Sequence, residues 1–292
     1  MKTKPNEYIE NFIQFLKIQK NISPNTELAY RRDLEQFYKF LDRKKKALKS
    51  VDKFTIRDYI ASILQPVEKK SSIIRKMATL RGFFGFFVKC KLFKISPMDL
   101  IVIPKKEKHL PGFLTQTEIN LLLSVPDVST ILGLRDRAIL ELLYSSGLRI
   151  SELTGANRTD IDYLSGIIKV TGKGLKQRII PVGDSAIDII RKYLKMRKDI
   201  SPSLFVDYKD HRLSARWIQK MVKKYLKKTD ILKKITPHSI RHTFATHLLD
   251  AGCDIRSVQE MLGHKNLATT QIYTHITPTK MKKVYDRVHP RA

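Results

Sequence analysis

The segment Thr236-Pro237-His238-Ser239-Ile240-Arg241 sets a histidine and an arginine three residues apart, behind a threonine able to cap and a proline suited to the first helical position. That spacing puts both side chains on one helix face, in a first turn whose free N–H groups favour an anion. A surface histidine beside a solvated arginine has the same spacing, so position alone leaves both readings open. Arg149 follows Gly147 in SSGLRISEL, in a tight turn between two helices. A rigidly held guanidinium there would match two phosphate oxygens, or it would cap a helix C-terminus. Lys173 sits between Gly172 and Gly174 at the tip of an expected hairpin. It reads as a turn lysine, or as an ammonium carried into a groove to give up a proton. His264 follows the helix-ending Gly263, and Tyr273 comes nine residues later. A lone helical tyrosine is usually packing. Its hydroxyl, with an ordinary pKa of about 10, attacks only where cations lower that value or a base takes its proton.

One reaction uses all of these groups. Phosphoryl transfer needs equatorial oxygens neutralised, a nucleophile deprotonated and a leaving group protonated. Two arginines, a histidine, a lysine and a tyrosine supply those functions without metal or cofactor. A metal pair at His238 and His242 has helical spacing, but the glutamate of HExxH and any supporting Cys or acidic cluster are missing. His242 and His247 therefore read as structural or surface histidines. The TGKG turn lacks the GxxxxGK[ST] pattern of a nucleotide-binding loop.

These residues must be positioned by a largely helical chain. Apolar periodicity predicts helices over 6–20, from Ser23-Pro24 through Leu41, from about Thr55, and from Ser71-Ser72 to about Phe93. The last carries a Leu80, Phe83, Phe84, Phe87 stripe that reads as core rather than a base-stacking platform. Residues 95–114 are broken by Pro97, Pro104, Pro111 and Gly112 around a KKEK run, and read as an interdomain linker. An apolar helix ends at Gly147. Runs at 167–171 and 178–182 predict a β-hairpin, with a third short strand before it or near 204–206. Helices follow at about 184–198, 214–228, 237–250, 254–262 and 267–274.

The 292 residues carry 56 Lys and Arg against 28 Asp and Glu, a net charge of +28 that calls for a polyanionic partner. Hydrophobic residues make up 42%, enough for a buried core, so disorder is excluded as the default. Two cysteines, Cys90 and Cys253, without CxxC spacing argue against a disulfide framework or a cysteine zinc site. The N-terminus has no apolar signal region, and the run from Phe83 to Val88 is too short to span a bilayer. A cytoplasmic location and no membrane partner are expected.

With these motifs in hand, the chain resembles a tyrosine recombinase of the Xer type. SGLRISEL, TGKGLKQRIIPVG, HSIRHTFATHLLDAG, MLGHKNLATTQIYTHI and VYDRVHPRA are similar to family segments in the family's order. SPNTELAYRRDLEQFYKFL and RKMATLRGFFGFF resemble its DNA-binding helical domain. The resemblance implies a mainly α fold with a small β-hairpin or three-stranded sheet, in two domains that form a C-shaped clamp on DNA. Residues 1–103 would be an N-terminal SAM-like, four-helix core-binding domain, 104–113 a basic linker, and 114–292 a mixed α+β catalytic domain. It further implies that Arg149 and Arg241 clamp the non-bridging oxygens and that His238 accepts a proton or hydrogen bond. Lys173 would protonate the leaving 5′-oxygen, His264 support the phosphate, and Tyr273 form a 3′-phosphotyrosyl bond. Implied partners are double-stranded DNA with a short inverted-repeat site, three further subunits of this chain or a paralogue in a tetramer that exchanges C-terminal segments from about Pro278, and a DNA translocase. Ile150, Ser96, Gly112 and ELTGANRTDID depart from the common pattern, none at a catalytic position. Site-specific recombination that resolves chromosome or plasmid dimers is the expected function. A phage or transposon integrase, a type IB topoisomerase and a non-catalytic DNA-binding protein are the alternatives.

Overall fold

The computed structural model describes residues 5–64, 70–104, 112–172, 177–263 and 278–292. The chain divides into two compact units, Met1–His109 and Leu110–Ala292.

The first unit holds α1 (Pro5–Lys20), α2 (Pro24–Arg43), α3 (Lys53–Leu64) and α4 (Lys70–Lys89). Ser23 caps α2 as its sequence predicts, its hydroxyl accepting the Thr26 N–H at 3.2 Å. The core is aromatic. Phe37 meets Tyr59 and Phe84 edge-on at 5.0 and 5.9 Å, and Phe12 meets Phe83 at 5.5 Å. Leu80, Phe83, Phe84 and Phe87 are all buried, so the stripe is core and offers no face to bases. The helix stops at Lys89, short of Phe93, because Lys91 turns the chain through φ +58° and the Leu92 N–H returns to the Phe87 carbonyl at 2.9 Å. The opening of the expected linker is not free either. Met98 and Ile101 are buried in this core, and the Arg81 guanidinium donates to the Ile101 carbonyl. The basic run at 105–108 lies outside the described residues.

The second unit runs α5 (Gln116–Ser124), α6 (Ile131–Ser146), α7 (Ile150–Gly155), β1 (Ile161–Asp162), β2 (Ile167–Thr171), β3 (Gln177–Pro181), α8 (Asp184–Met196), α9 (Ala215–Leu226), α10 (Pro237–Asp250), α11 (Ile255–Leu262) and α12 (Pro278–Val288). Helix α6 is buried along nearly its whole length and packs against α8 and α10. The sheet is antiparallel in the order β1-β2-β3, with Ile168 opposite Ile180 and Val170 opposite Arg178. The third strand thus precedes the hairpin, and Val206 makes only an isolated bridge to Arg212. The hairpin tip, 173–176, and the helix expected at 267–274 lie outside the described residues.

The C-terminal segment packs on its own unit. Helix α12 lies against β3, and Tyr285 and His289 are buried. Gly183 permits this docking, since a Cβ there would lie 1.9 Å from the Arg291 carbonyl oxygen. In the single chain, α12 therefore folds back on its own unit rather than extending away from it.

Candidate active site

Two glycine-ended helices and one strand set up the site. Helix α6 ends at Gly147, whose φ of +57° suits the left-handed cap. A side chain there would also strike the Phe244 ring, 2.4 Å from the Cβ position. Arg149 follows as the residue before α7. Helix α11 ends at Gly263 with φ +62°, again left-handed. Strand β3 carries Arg178 on the same face as the buried Ile180, two residues on.

At the centre is Glu152, a buried carboxylate on α7. Its Oε2 accepts the Arg149 backbone N–H at 2.8 Å and its Oε1 the Arg149 guanidinium at 2.9 Å. Arg178 donates to both oxygens, at 2.7 and 2.9 Å. Arg241 stands 3.9 Å from Oε2. Burial pushes the Glu152 pKa up, but the bonds from Arg178 and Arg149 outweigh it and hold the carboxyl below its ordinary value.

The same three arginines cap α11. Its last carbonyls would otherwise lack partners. Met261 accepts from Arg178 Nε at 3.3 Å, Leu262 accepts from Arg241, and Gly263 accepts from Arg149 at 3.0 Å. Arg241 also donates to the Gly147 carbonyl at 2.6 Å. Burial, then the neighbouring Arg149, lowers its pKa to about 10, with Glu152 opposing. It remains a cation at neutral pH. Among the described residues, three guanidiniums set against one carboxylate leave two positive charges without a counter-ion in this cluster.

The expected residues fare as follows. Arg149 and Arg241 are brought together. Arg149 does cap a helix C-terminus, that of α11, while keeping its side chain partly exposed. His238 and Arg241 share α10, but His238 is exposed and Arg241 is buried. The first turn of α10 offers fewer free donors than its spacing suggests. Pro237 has no N–H, and the N–H groups of Ser239 and Ile240 both go to Thr236. The site's positive charge therefore comes mainly from guanidiniums. His242 packs its ring edge-on to Phe113 at 6.3 Å, and His247 is buried with Nδ1 2.8 Å from the Tyr144 hydroxyl, so both are structural. Lys173, His264 and Tyr273 lie outside the described residues, although the chain enters 264–277 directly from the Gly263 that binds Arg149.

Sequence reasoning missed Glu152 and Arg178. A signal for each existed. Glu152 stands three residues after Arg149, where a carboxylate reaches back to the N–H before a helix. Arg178 is a charge on the inward face of an alternating strand.

Comparison with known proteins decides the family. A model of the phage integrase family matches residues 112–280, and one of the phage integrase N-terminal SAM-like domain matches residues 9–91. The chain belongs to the phage integrase family, the tyrosine recombinases. It is accordingly a DNA-cleaving and rejoining enzyme whose two units are the SAM-like and catalytic domains. A tyrosine recombinase XerC of Syntrophus aciditrophicus is 39% identical over 304 residues, covering 98% of each chain. A tyrosine recombinase XerD of Staphylococcus haemolyticus is 40% identical over 291 residues, covering 97% of this chain and 99% of its own. Among solved structures, a lambda integrase tetramer bound to a Holliday junction shares the fold at 18% identity with a TM-score of 0.71, over 93% of this chain and 80% of that one.

Proposed function

We propose that the chain cuts one strand of a duplex by attack of the Tyr273 hydroxyl on a phosphodiester. The P–O bond to the 5′-oxygen breaks, a 3′-phosphotyrosyl bond forms, and a 5′-hydroxyl leaves. Attack by a 5′-hydroxyl of another strand reverses these steps. The phosphotyrosine conserves the bond energy, so no ATP is consumed. Arg149 and Arg241 neutralise the non-bridging oxygens. His238 takes the tyrosine proton or its hydrogen bond, Lys173 protonates the leaving oxygen, and His264 supports the phosphate.

The observation that carries this reading is the arginine cluster with its two uncompensated positive charges. A phosphodiester brings one negative charge and its five-coordinate transition state a second, so attraction grows as the reaction proceeds. The helix end that the cluster caps leads in the chain to His264 and Tyr273. Full-length likeness to proteins named XerC and XerD favours resolution of chromosome or plasmid dimers over integration of a mobile element. The substrate is then double-stranded DNA with a short inverted repeat, held by residues 1–103 and 114–292 on either side of the 104–113 linker. A tetramer of this chain, or of this chain with a paralogue, would synapse two such sites in the cytoplasm; the similar lambda integrase is a tetramer bound to a Holliday junction. A DNA translocase would switch cleavage on.

Arg149→Ala and Arg241→Ala test the reading on a nicked suicide substrate carrying the candidate site. Each variant is expected to bind that site and to lose about 100-fold or more in cleavage rate, the loss of a charged oxyanion donor. Equal losses of binding and cleavage would reduce both residues to backbone contacts. A 5′-bridging phosphorothiolate, which leaves without protonation, is expected to restore cleavage to Lys173→Ala. Failure of that rescue removes Lys173 as the general acid.

A further inference from the structure

We propose that Arg178 is a positioning residue of the cleavage reaction, one that fixes Glu152 and the end of α11 without touching the phosphate; this rests on the function proposed above.

Its bonds carry the argument. Both arms of its guanidinium fork are closed on Glu152, at 2.7 and 2.9 Å, and its Nε–H donates to the Met261 carbonyl at 3.3 Å. A fork filled by a carboxylate is not available to clamp a phosphate. Arg149 and Arg241 differ in this respect. Arg149 gives Glu152 one arm and the neutral Gly263 carbonyl the other, and Arg241 gives both arms to the neutral Gly147 and Leu262 carbonyls, so neither fork is closed on a carboxylate and both keep more of their charge for a phosphate. Arg178 also fills the open face of Gly263. A Cβ on that glycine would lie 3.0 Å from Arg178 Nε and 3.2 Å from its Cζ.

Arg178 thereby joins three stretches of chain that each lead to a reacting group. It stands on β3, which begins four residues after Lys173 in the chain. Through Glu152 it sets the backbone and side chain of Arg149 and the charge facing Arg241. Through Met261 and Gly263 it holds the helix end that precedes His264 and Tyr273. A single side chain with a planar, rigid fork can keep these parts in register, which a lysine cannot. Small misplacements are costly to catalysis, by about 100-fold for an ångström.

Single-turnover cleavage of the nicked substrate, read as rate and amplitude separately, tests this with the full-length chain. Arg178→Gln is expected to bind the site within about threefold of wild type and to cleave ~100-fold more slowly. Arg178→Lys, which restores charge but not the fork, should recover only part of the rate. Glu152→Gln combined with Arg178→Gln should be no slower than the worse single variant, because both act through one unit. Full rate in Arg178→Gln, loss of amplitude with the rate unchanged, or additive losses in the double variant would each overturn the proposal. Wild-type adduct formation is the internal control. If it fails, the cleavage reading falls and this proposal with it; if it succeeds and Arg178→Gln keeps its rate, this proposal alone falls.

Discussion

At the scale of single residues, one carboxylate organises the arginine cluster. Glu152 neutralises part of the charge of three arginines, and its oxygens are occupied by N–H groups of Arg149 and Arg178, with Arg241 3.9 Å away. Glu152→Ala leaves those guanidiniums facing each other in a buried site, and is expected to cost about 3–5 kcal/mol of stability in urea unfolding. The acid dependence has a defined sign. The folded pKa of Glu152 is held down by Arg178 and Arg149 against its burial. Its contribution is therefore present above the unfolded value of about 4.3 and is lost as pH falls below it. Glu152→Gln should accordingly unfold with less acid sensitivity than wild type below that pH. Arg149 and Arg241 were legible in the sequence because caps and turn glycines flank them. Glu152 and Arg178 were not singled out, because an acid near a helix start and an arginine in a strand each have common structural explanations. Their importance comes from a meeting of α7, β3 and α11 that sequence spacing does not specify.

At the scale of elements, helix ends and the C-terminal segment carry the argument. Gly147 and Gly263 were readable as helix stops, and both adopt the left-handed cap. That their carbonyls would receive Arg241 and Arg149 depends on packing between helices far apart in sequence. Gly147→Ala combines left-handed strain of about 1–2 kcal/mol with a collision against Phe244. It is expected to lower the melting temperature and also to slow cleavage, since it displaces the Arg241 anchor. A destabilised variant with an unchanged cleavage rate would separate the two effects and contradict this. Docking of α12 has its own signature. His289 stacks on Tyr285 at 4.7 Å, and burial, then His247, lowers its pKa to about 3. Unfolded, it would titrate near 6.5. The unfolded chain thus binds the extra proton between those values, and stability is lost as pH falls through that window, by on the order of 1.4 kcal/mol per unit. His289→Phe should flatten the pH dependence of the urea midpoint between pH 6.5 and 5; an unaltered slope would contradict the burial of a neutral imidazole.

At the scale of the whole molecule, composition and motif order specify more than any single site. The helical first unit and the mixed second unit were both visible in the apolar period and the β-like runs. The part played by Met98 and Ile101 in the first core was hidden, because prolines and charges around them read as linker. The net charge of +28 predicts binding dominated by phosphate contacts. With five or more phosphates neutralised, log affinity against log salt should fall with a slope steeper than about −4.5. A shallow slope in a filter or anisotropy titration would mean that the basic surface does not lie along a duplex.

Covalent capture puts the account to its most direct test. The protein is incubated with a nicked suicide duplex carrying the inverted-repeat site, labelled on the strand that retains the 3′-phosphate, and resolved under denaturing conditions. The account predicts a protein–DNA adduct that maps by peptide mass to Tyr273, is absent from Tyr273→Phe, and forms without metal or ATP. An adduct that persists unchanged in Tyr273→Phe, or that maps to another residue, would contradict it.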